Sequence, residues 1–289
     1  MSIRPRRSVL YMPGSNQRAL EKAQGLAADA LVFDLEDSVG PEKKAEARQL
    51  VVAAADSGAY GQREIIIRAN SLDSSWGITD IQAIAASKAD GLCMPKVETA
   101  AQVHEALAVL NAAGATAMPL WLMIETPLGI LNIRDIVMAD ARVEVIVMGT
   151  TDLAKELRVP HTADRIGLQH ALSACVLATR AGGKEILDGV YLDLADEAGF
   201  TQACEQGRDL GFDGKTLIHP KQLAATNTVF GPSEDDIIKA EKIIAAWREA
   251  EAEGKGVVVV DGKLVEGMHV DEAKRNLLLA KAIAELESC

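Results

Sequence analysis

Two carboxylates follow apolar runs of the sequence, and their positions suggest a metal site. Glu125 ends an apolar run that begins at Pro119, and Asp152 comes just after a second run over residues 145–149. Apolar runs of this length are typical of fully buried strands. Carboxylates at the ends of successive parallel strands can converge, and such a pair offers the oxygen ligands that Mg²⁺ prefers. Taken singly, Asp152 could instead be a helix N-cap, and Glu125 could form a surface ion pair.

Further polar residues stand at the ends of other apolar runs and could bind an anionic substrate. Arg68 suits a bidentate grip on a carboxylate, although a solvated head on an apolar stem is an alternative. Asp37 could equally be a turn residue, and His219 is expected to order a loop. No Ser-His-Asp spacing and no Cys-His pair supports covalent acyl chemistry. The complete set of additional strand-end residues is Tyr11, Glu36, Asp37, Arg68, Lys96, Asp193 and His219.

Eight apolar runs alternate with helical patterns and must position these residues. The alternation predicts a TIM (β/α)8 barrel, whose active site is built by the loops that follow the strands. A doubly wound sheet is the structural alternative, but no Gly-x-Gly-x-x-Gly motif follows the first strand. The predicted strands are residues 8–12, 30–35, 64–68, 90–96, 119–125, 145–149, 186–191 and 212–220. Alanine-rich helices are predicted at residues 18–28, 99–113, 163–181 and 195–210.

The last part of the chain does not continue the repeat. A charged helix is predicted at residues 234–253, a hairpin at 257–265 with Asp261 and Gly262 in its turn, and a final helix at 271–287. We therefore expect a barrel domain over residues 1–232 and an extension over 233–289. Because an isolated hairpin is marginally stable in water, the extension is expected to pack on the barrel or on a neighbouring subunit.

Composition excludes several classes of protein. The 289 residues carry a formal net charge of −12, which argues against nucleic acid or an anionic membrane as partner. No apolar run is long enough to span a bilayer, and the basic N-terminus lacks the apolar segment of a signal peptide. The four cysteines have no metal or redox spacing. We therefore expect reduced thiols in a cytoplasmic protein.

Six motifs together resemble the citrate lyase beta-subunit-like proteins of the HpcH/HpaI aldolase superfamily, which include malyl-CoA and citramalyl-CoA lyases. The resemblance covers nearly the whole chain in the right order. It implies a Mg²⁺-dependent TIM barrel, assembled as a homotrimer or hexamer, that acts on a CoA thioester. The motifs are residues 7–14, 34–39, 67–70, 124–127, 188–191 and 214–220.

The resemblance also implies roles for individual residues. Glu125 and Asp152 would bind the metal, with Glu125 also near the substrate. Arg68 would hold a substrate carboxylate or carbonyl oxygen, and Lys96 is a second candidate for substrate binding. The remaining implied roles are metal-bound water for Glu36 and Asp37, and the CoA site for Tyr11, Arg18 and Lys22. The family places an aspartate on a C-terminal segment that reaches a neighbouring subunit, and Glu266 stands in that place here.

The function that follows from the resemblance is a carbon–carbon lyase. Mg²⁺ would chelate the substrate hydroxyl and carboxylate, and bond cleavage would give acetyl-CoA and a 2-oxo acid. Four alternatives stay open: a citrate lyase beta subunit acting on a citryl thioester, a CoA-independent pyruvate aldolase, a malyl-CoA thioesterase, and a non-catalytic CoA-ester binder. The sequence indicates neither the acyl group nor its stereochemistry.

Overall fold

A closed barrel of eight parallel strands dominates the structure, a computed structural model that describes residues 3–288. Each strand pairs with its neighbour in chain order, and β1 closes the barrel by pairing with β8, with Leu10 opposite Leu217. The predicted TIM barrel is thus confirmed. The strands are β1 (Ser8–Pro13), β2 (Ala30–Asp34), β3 (Glu64–Arg68), β4 (Gly91–Met94), β5 (Leu120–Ile124), β6 (Val143–Met148), β7 (Glu185–Asp188) and β8 (Gly214–Leu217).

Helices follow the strands, and several begin or end away from their predicted bounds. The first ends at Ala23, just before Gly25, and the eighth begins at Gln169, after Arg165 adopts a left-handed φ of 50°. The helices are α1 (Gln17–Ala23), α2 (Lys44–Asp56), α3 (Gly77–Ala85), α4 (Ala100–Ala112), α5 (Pro127–Leu131), α6 (Ile133–Val137), α7 (Thr150–Leu157), α8 (Gln169–Ala181), α9 (Glu197–Leu210) and α10 (Leu223–Phe230).

The barrel interior is apolar at mid-height and charged at both ends. Trp121, Val145 and Val147 belong to a buried cluster to which seven of the eight strands contribute. At the amino end, Arg6 donates to Glu64 through Nε and Nη2, both at 2.7 Å, and to Glu185 at 2.8 Å. Its guanidinium also lies 5.2 Å from the Trp121 ring centroid. One arginine thereby ties β3 and β7 together beneath the core.

We expect Arg6→Lys to lower the free energy of unfolding by about 1–2 kcal/mol, because a single ammonium cannot serve two carboxylates in the fork geometry. Glu64 is 2% exposed, so an unmade contact there is not replaced by water. Urea unfolding of the two proteins measures the difference. Equal transition midpoints would show that the guanidinium of Arg6 contributes no more to stability than an ammonium group does.

The chain divides into two compact units, Arg6–Thr226 and the segment from Asn227 onward together with the first residues. The second unit contains α11 (Glu234–Ala252), the antiparallel hairpin of β9 (Val258–Val260) and β10 (Lys263–Val265), and α12 (Gly267–Glu287). The hairpin is stabilised within this unit, because Val265 packs with Ile243 and Val270 of the two helices. Its turn residues Asp261 and Gly262 have φ values of 49° and 77°. The predicted boundary at residue 232 stays a prediction, as does docking of the hairpin at a subunit interface.

The final helix begins four residues earlier than predicted, at Gly267 instead of residue 271. Glu266 is its N-cap, and its backbone N–H donates to Nδ1 of His269 at 3.0 Å. This local cap satisfies a polar group at the helix start, which explains the earlier beginning. Within residues 3–288, no helix is both long and apolar enough to cross a membrane. Cys93, Cys175 and Cys204 are buried free thiols, and Cys289 lies outside the described residues.

Candidate active site

A cavity of about 500 Å³ opens at the carboxyl ends of the strands. Five of the predicted site residues line it: Tyr11, Asp37, Arg68, Glu125 and Asp152. They come from the ends of different strands or the loops that follow, which is how this fold assembles a site. The lining also includes apolar side chains, namely those of Met12, Met148, Val190, Leu192 and Ile218.

Arg68 is the central cation of the cavity and is held by three carboxylates. Its Nε donates to Asp34 at 2.6 Å, and Nη1 lies 2.9 Å from Glu36 and 3.3 Å from Asp37. Burial disfavours its charge, but Asp34, Tyr11 and Glu36 together outweigh that effect, so the pKa of Arg68 is raised well above its ordinary value. The Tyr11 ring lies 5.0 Å from the guanidinium carbon and packs against one face. The fork is therefore permanently charged and fixed in orientation.

Lys96 links two acidic residues of the site, although it does not line the cavity. Its backbone has a left-handed φ of 52°, a conformation that non-glycine residues adopt rarely and often at functional sites. The backbone N–H donates to Oε1 of Glu125 at 2.8 Å, while Nζ donates to Oε1 of Glu36 at 2.6 Å. The second oxygen of Glu36 has ion-pair contact with Arg68 but no hydrogen bond among the described residues.

Glu125 carries a pKa shift that a cation would relieve. It is 2% exposed, and burial raises its pKa to about 7, with Glu36 and Asp152 adding repulsion. Gly149, at the end of β6, approaches the Glu125 carboxyl so closely that any Cβ there would collide with it. The glycine thereby lets the β6–α7 turn pass close to Glu125, and Asp152 of that turn lines the same cavity. Such crowding of oxygens is favourable when a divalent ion shares them.

The donor set fits Mg²⁺, which usually binds one or two protein carboxylates and completes its shell with water and substrate oxygens. Among the described residues no cluster of three or more acidic, histidine or cysteine side chains has metal-binding geometry. Glu125 and Asp152 stay the predicted pair of metal ligands. Asp152 lies in the first turn of α7 and is not its N-cap, since that position belongs to Gly149. The N-cap alternative for Asp152 is therefore wrong.

Other predicted residues lie outside this cavity. Arg18 lines a separate surface cavity with Asn16 and Lys43, and Lys22 is exposed on α1. His219 caps a short 3₁₀ turn and accepts from the backbone of Lys221, as expected of a loop-ordering residue. Asp193 is exposed and bonds the backbone of Ala195. Glu266 belongs to the C-terminal unit. The roles implied for Arg18, Lys22 and Glu266 stay predictions.

Sequence reasoning missed Asp34 as a member of the site. It ends β2, lines the cavity and is 1% exposed. Its carboxylate accepts the backbone N–H groups of Glu36 and Ser38 at 2.8 and 2.9 Å as well as Nε of Arg68. Arg68 is the main reason that the pKa of Asp34 is lowered despite burial. A charged residue inside an otherwise apolar run, two positions before Glu36, was the available signal.

Comparison with known proteins gives a consistent picture of the relatives. Residues 7–220 match the HpcH/HpaI aldolase/citrate lyase family. A (3S)-malyl-CoA thioesterase of Cereibacter sphaeroides is 51% identical over 280 residues, which cover 97% of this chain and 96% of the relative. Citrate lyase subunit beta of Escherichia coli is 36% identical over 285 residues, covering 96% and 94%. The structure of CitE from Mycobacterium tuberculosis with magnesium, acetoacetate and coenzyme A has a TM-score of 0.77 at 26% identity, covering 95% and 97%.

These relatives correct the predicted reaction. The expectation of a carbon–carbon lyase is wrong, because relatives that are 51% identical over nearly the full length are named thioesterases. The physical reason for the error lies in the motifs themselves. An arginine that binds the substrate carboxylate and two carboxylates that bind one Mg²⁺ would orient a malyl thioester equally well for cleavage of its C–C or its C–S bond. The motifs therefore predict the binding site and leave open which bond breaks.

Proposed function

Because the chain belongs to the HpcH/HpaI aldolase/citrate lyase family, we propose that it is a thioesterase that hydrolyses a malyl-CoA-type thioester. The carrying observation is the 51% identity to (3S)-malyl-CoA thioesterases across 97% of the chain. In this reaction water adds to the thioester carbonyl, the C–S bond breaks, and the thiolate of CoA takes up a proton. The products are the free hydroxy acid and CoA.

Arg68 is proposed to bind the substrate's free carboxylate or its carbonyl oxygen. Its guanidinium is buried, charged and locked by Asp34, so it is oriented before the substrate arrives. Asp37 holds only a 3.3 Å contact with Arg68 and its side chain is 57% exposed. An incoming carboxylate can therefore displace Asp37 from the guanidinium without unfolding the loop. A planar donor pair of this kind favours a carboxylate over a neutral group.

Mg²⁺ is proposed as the cofactor, held by Glu125 and Asp152. When bound, it supplies positive charge for the substrate oxygens and for the negative charge that develops during hydrolysis. Lys96 fixes the orientation of the Glu125 carboxylate through its backbone N–H. The CitE structures from M. tuberculosis that hold magnesium support this assignment by family.

Asp37 is the side chain we propose to accept the proton of the attacking water. It lines the cavity, whereas Glu36 is buried behind it and serves Arg68 and Lys96. A carboxylate released from Arg68 by the substrate becomes a free acceptor at the moment when water must be activated. Arg18 and Lys22 are proposed to meet the phosphates of CoA, and the active form is proposed to be a homotrimer or hexamer.

Product analysis with (3S)-malyl-CoA and Mg²⁺ tests the proposed reaction. We expect free CoA thiol and malate to appear in equal amounts, with no glyoxylate. Formation of acetyl-CoA and glyoxylate without free thiol would overturn the thioesterase assignment. Citramalyl-CoA and the (3R) epimer, assayed in parallel, define the acyl group and the stereochemistry that the protein accepts.

Glu266 is predicted to act at a neighbouring subunit, and its length is the testable feature. Glutamate carries its carboxyl about 1 Å farther from the backbone than aspartate, and such a displacement can change a rate strongly. We expect Glu266→Asp to change kcat, and Glu266→Ala to lower it, while KM for the CoA ester changes less. Steady-state kinetics of the three proteins decide the matter. Agreement of all three within about twofold would leave Glu266 with only its role at the start of α12.

A further inference from the structure

Lys44 is a buried cation in a position that local preferences disfavour. It is the first residue of α2, where the helix dipole favours anions. It is 6% exposed, and burial lowers its pKa although Asp34 and Glu36 lie near. A lysine that violates both preferences needs a compensating interaction. The surroundings of its ammonium group supply that interaction.

The ammonium of Lys44 binds the backbone that carries two acidic site residues. Nζ donates to the carbonyl oxygens of Leu35 and Glu36, both at 2.7 Å, and lies 5.4 Å from the ring centroid of Trp76. The carbonyl of Glu36 belongs to the peptide unit that joins Glu36 to Asp37. The bond to Lys44 fixes the orientation of that unit, and with it the backbone angle from which the Asp37 side chain projects.

Two further residues fix the same segment from other sides. Asp34 accepts the N–H groups of Glu36 and Ser38, and Asn70 Nδ2 donates to the Leu35 carbonyl at 3.0 Å. The two bonds to Asp34 orient N–H groups, whereas the Glu36 carbonyl accepts Nζ of Lys44 at 2.7 Å and the backbone N–H of Val39 at 3.1 Å. Among the three side chains of Asp34, Asn70 and Lys44, only that of Lys44 holds this carbonyl. Neither Lys44 nor Asn70 lines the cavity. Lys44 therefore influences the site through the segment that it holds and through its charge, which interacts with Asp34, Glu36 and Asp37.

We propose that Lys44 is a positioning residue that sets the Glu36–Asp37 peptide, and with it the Asp37 carboxylate, for the reaction in the cavity. The inference rests on the proposed function of that cavity. Lys44 does not touch the substrate, and its effect on turnover passes through Asp37. This role requires a group that can donate to two carbonyl oxygens at once. A buried ammonium with three N–H groups meets that requirement.

A double-mutant cycle between Lys44→Met and Asp37→Asn tests this route. Methionine keeps the apolar stem of lysine, lacks its terminal nitrogen, and so removes both the donors and the charge. We expect Lys44→Met to lower kcat/KM at least about tenfold in the otherwise wild-type protein, mainly through kcat, since misplacement of a reacting group reduces rate. In the Asp37→Asn background the same change should cost less than about twofold, because the group it positions is already lost. Equal losses in both backgrounds, or no loss in the first, would overturn the proposal.

Tyr60→Phe is the matched control for stability. It also removes a buried donor to a backbone carbonyl, that of Leu20 at 3.0 Å, away from the cavity. We expect it to lower Tm as Lys44→Met does while leaving kcat/KM unchanged within about twofold. If Tyr60→Phe and Lys44→Met lose activity in proportion to Tm, Lys44 is merely structural. Free thiol and glyoxylate are both measured, so a wild-type protein that releases no free thiol would refute the proposed function, independently of Lys44.

Discussion

Glu125→Gln and Asp152→Asn are each expected to abolish Mg²⁺-dependent hydrolysis, with a loss of about a thousandfold or more in kcat/KM. A neutral amide is a poor ligand for a hard dication, and the proposed metal site uses two protein carboxylates. Removal of one leaves a single anionic ligand. Calorimetric titration with Mg²⁺ should therefore show weaker binding in both variants, alongside the loss of thiol release.

The fold should survive the Glu125→Gln change, and the direction of the change in Tm tests the role of the carboxylate. In the metal-free protein, burial of the Glu125 carboxylate opposes folding, and repulsion from Glu36 and Asp152 adds to this effect. Glutamine removes the repulsion and can still accept the backbone N–H of Lys96 through its amide oxygen. We expect Tm without Mg²⁺ to be unchanged or higher, and the rise of Tm on adding Mg²⁺ to be lost, since a ligand that binds only the folded state stabilises it.

Asp193→Asn is the matched control for Asp152→Asn. Asp193 also follows a strand of the barrel, but it is exposed and outside the cavity. It should keep wild-type turnover and Mg²⁺ affinity. Unchanged Mg²⁺ affinity in both site variants would refute the assignment of Glu125 and Asp152 as the metal pair.

The barrel and the charged mouth were predictable because both follow from short-range patterns. Buried parallel strands give continuous apolar runs, so the alternation with helices predicts the fold. The residue after such a run lies at the carboxyl end of the barrel wherever the exact strand boundary falls. That is why Glu125 and Arg68 could be assigned to one site. The strands β7 and β8 are shorter than predicted, but this difference does not affect the assignment.

Contacts between distant residues were not predictable in the same way. Arg6 and Glu185 are separated by 179 positions, and nothing in the basic N-terminus indicates that Arg6 enters the barrel. Lys44 lies at the start of a helix among other charged residues, a pattern that predicts a solvent-exposed surface. Its burial depends on the path of the β2–α2 loop, which periodicity does not determine. Whether the C–C or the C–S bond of the substrate breaks is a still finer difference, and no residue type in the sequence predicts it.

Arg68→Lys is expected to lower kcat/KM by roughly 30- to 150-fold although the charge is kept. The guanidinium uses Nε for Asp34 and Nη1 for Glu36 and Asp37, so its contacts are made by two different nitrogens of one planar group. A lysine ammonium is a single centre and cannot hold Asp34 while presenting a donor pair to the substrate. The loss corresponds to about 2–3 kcal/mol, as for one charged hydrogen bond or oxyanion donor.

Arg7→Lys separates this effect from a general loss of packing. Arg7 is also buried and grips one carboxylate with two nitrogens, donating to Asp29 at 2.9 Å from both Nε and Nη2. It lies at the amino end of the barrel, directly before β1, and does not line the cavity. We expect Arg7→Lys to lower Tm and leave kcat/KM within about twofold of wild type. If Arg68→Lys instead behaves as Arg7→Lys does, the arginine at the mouth holds the loops together and does not bind the substrate.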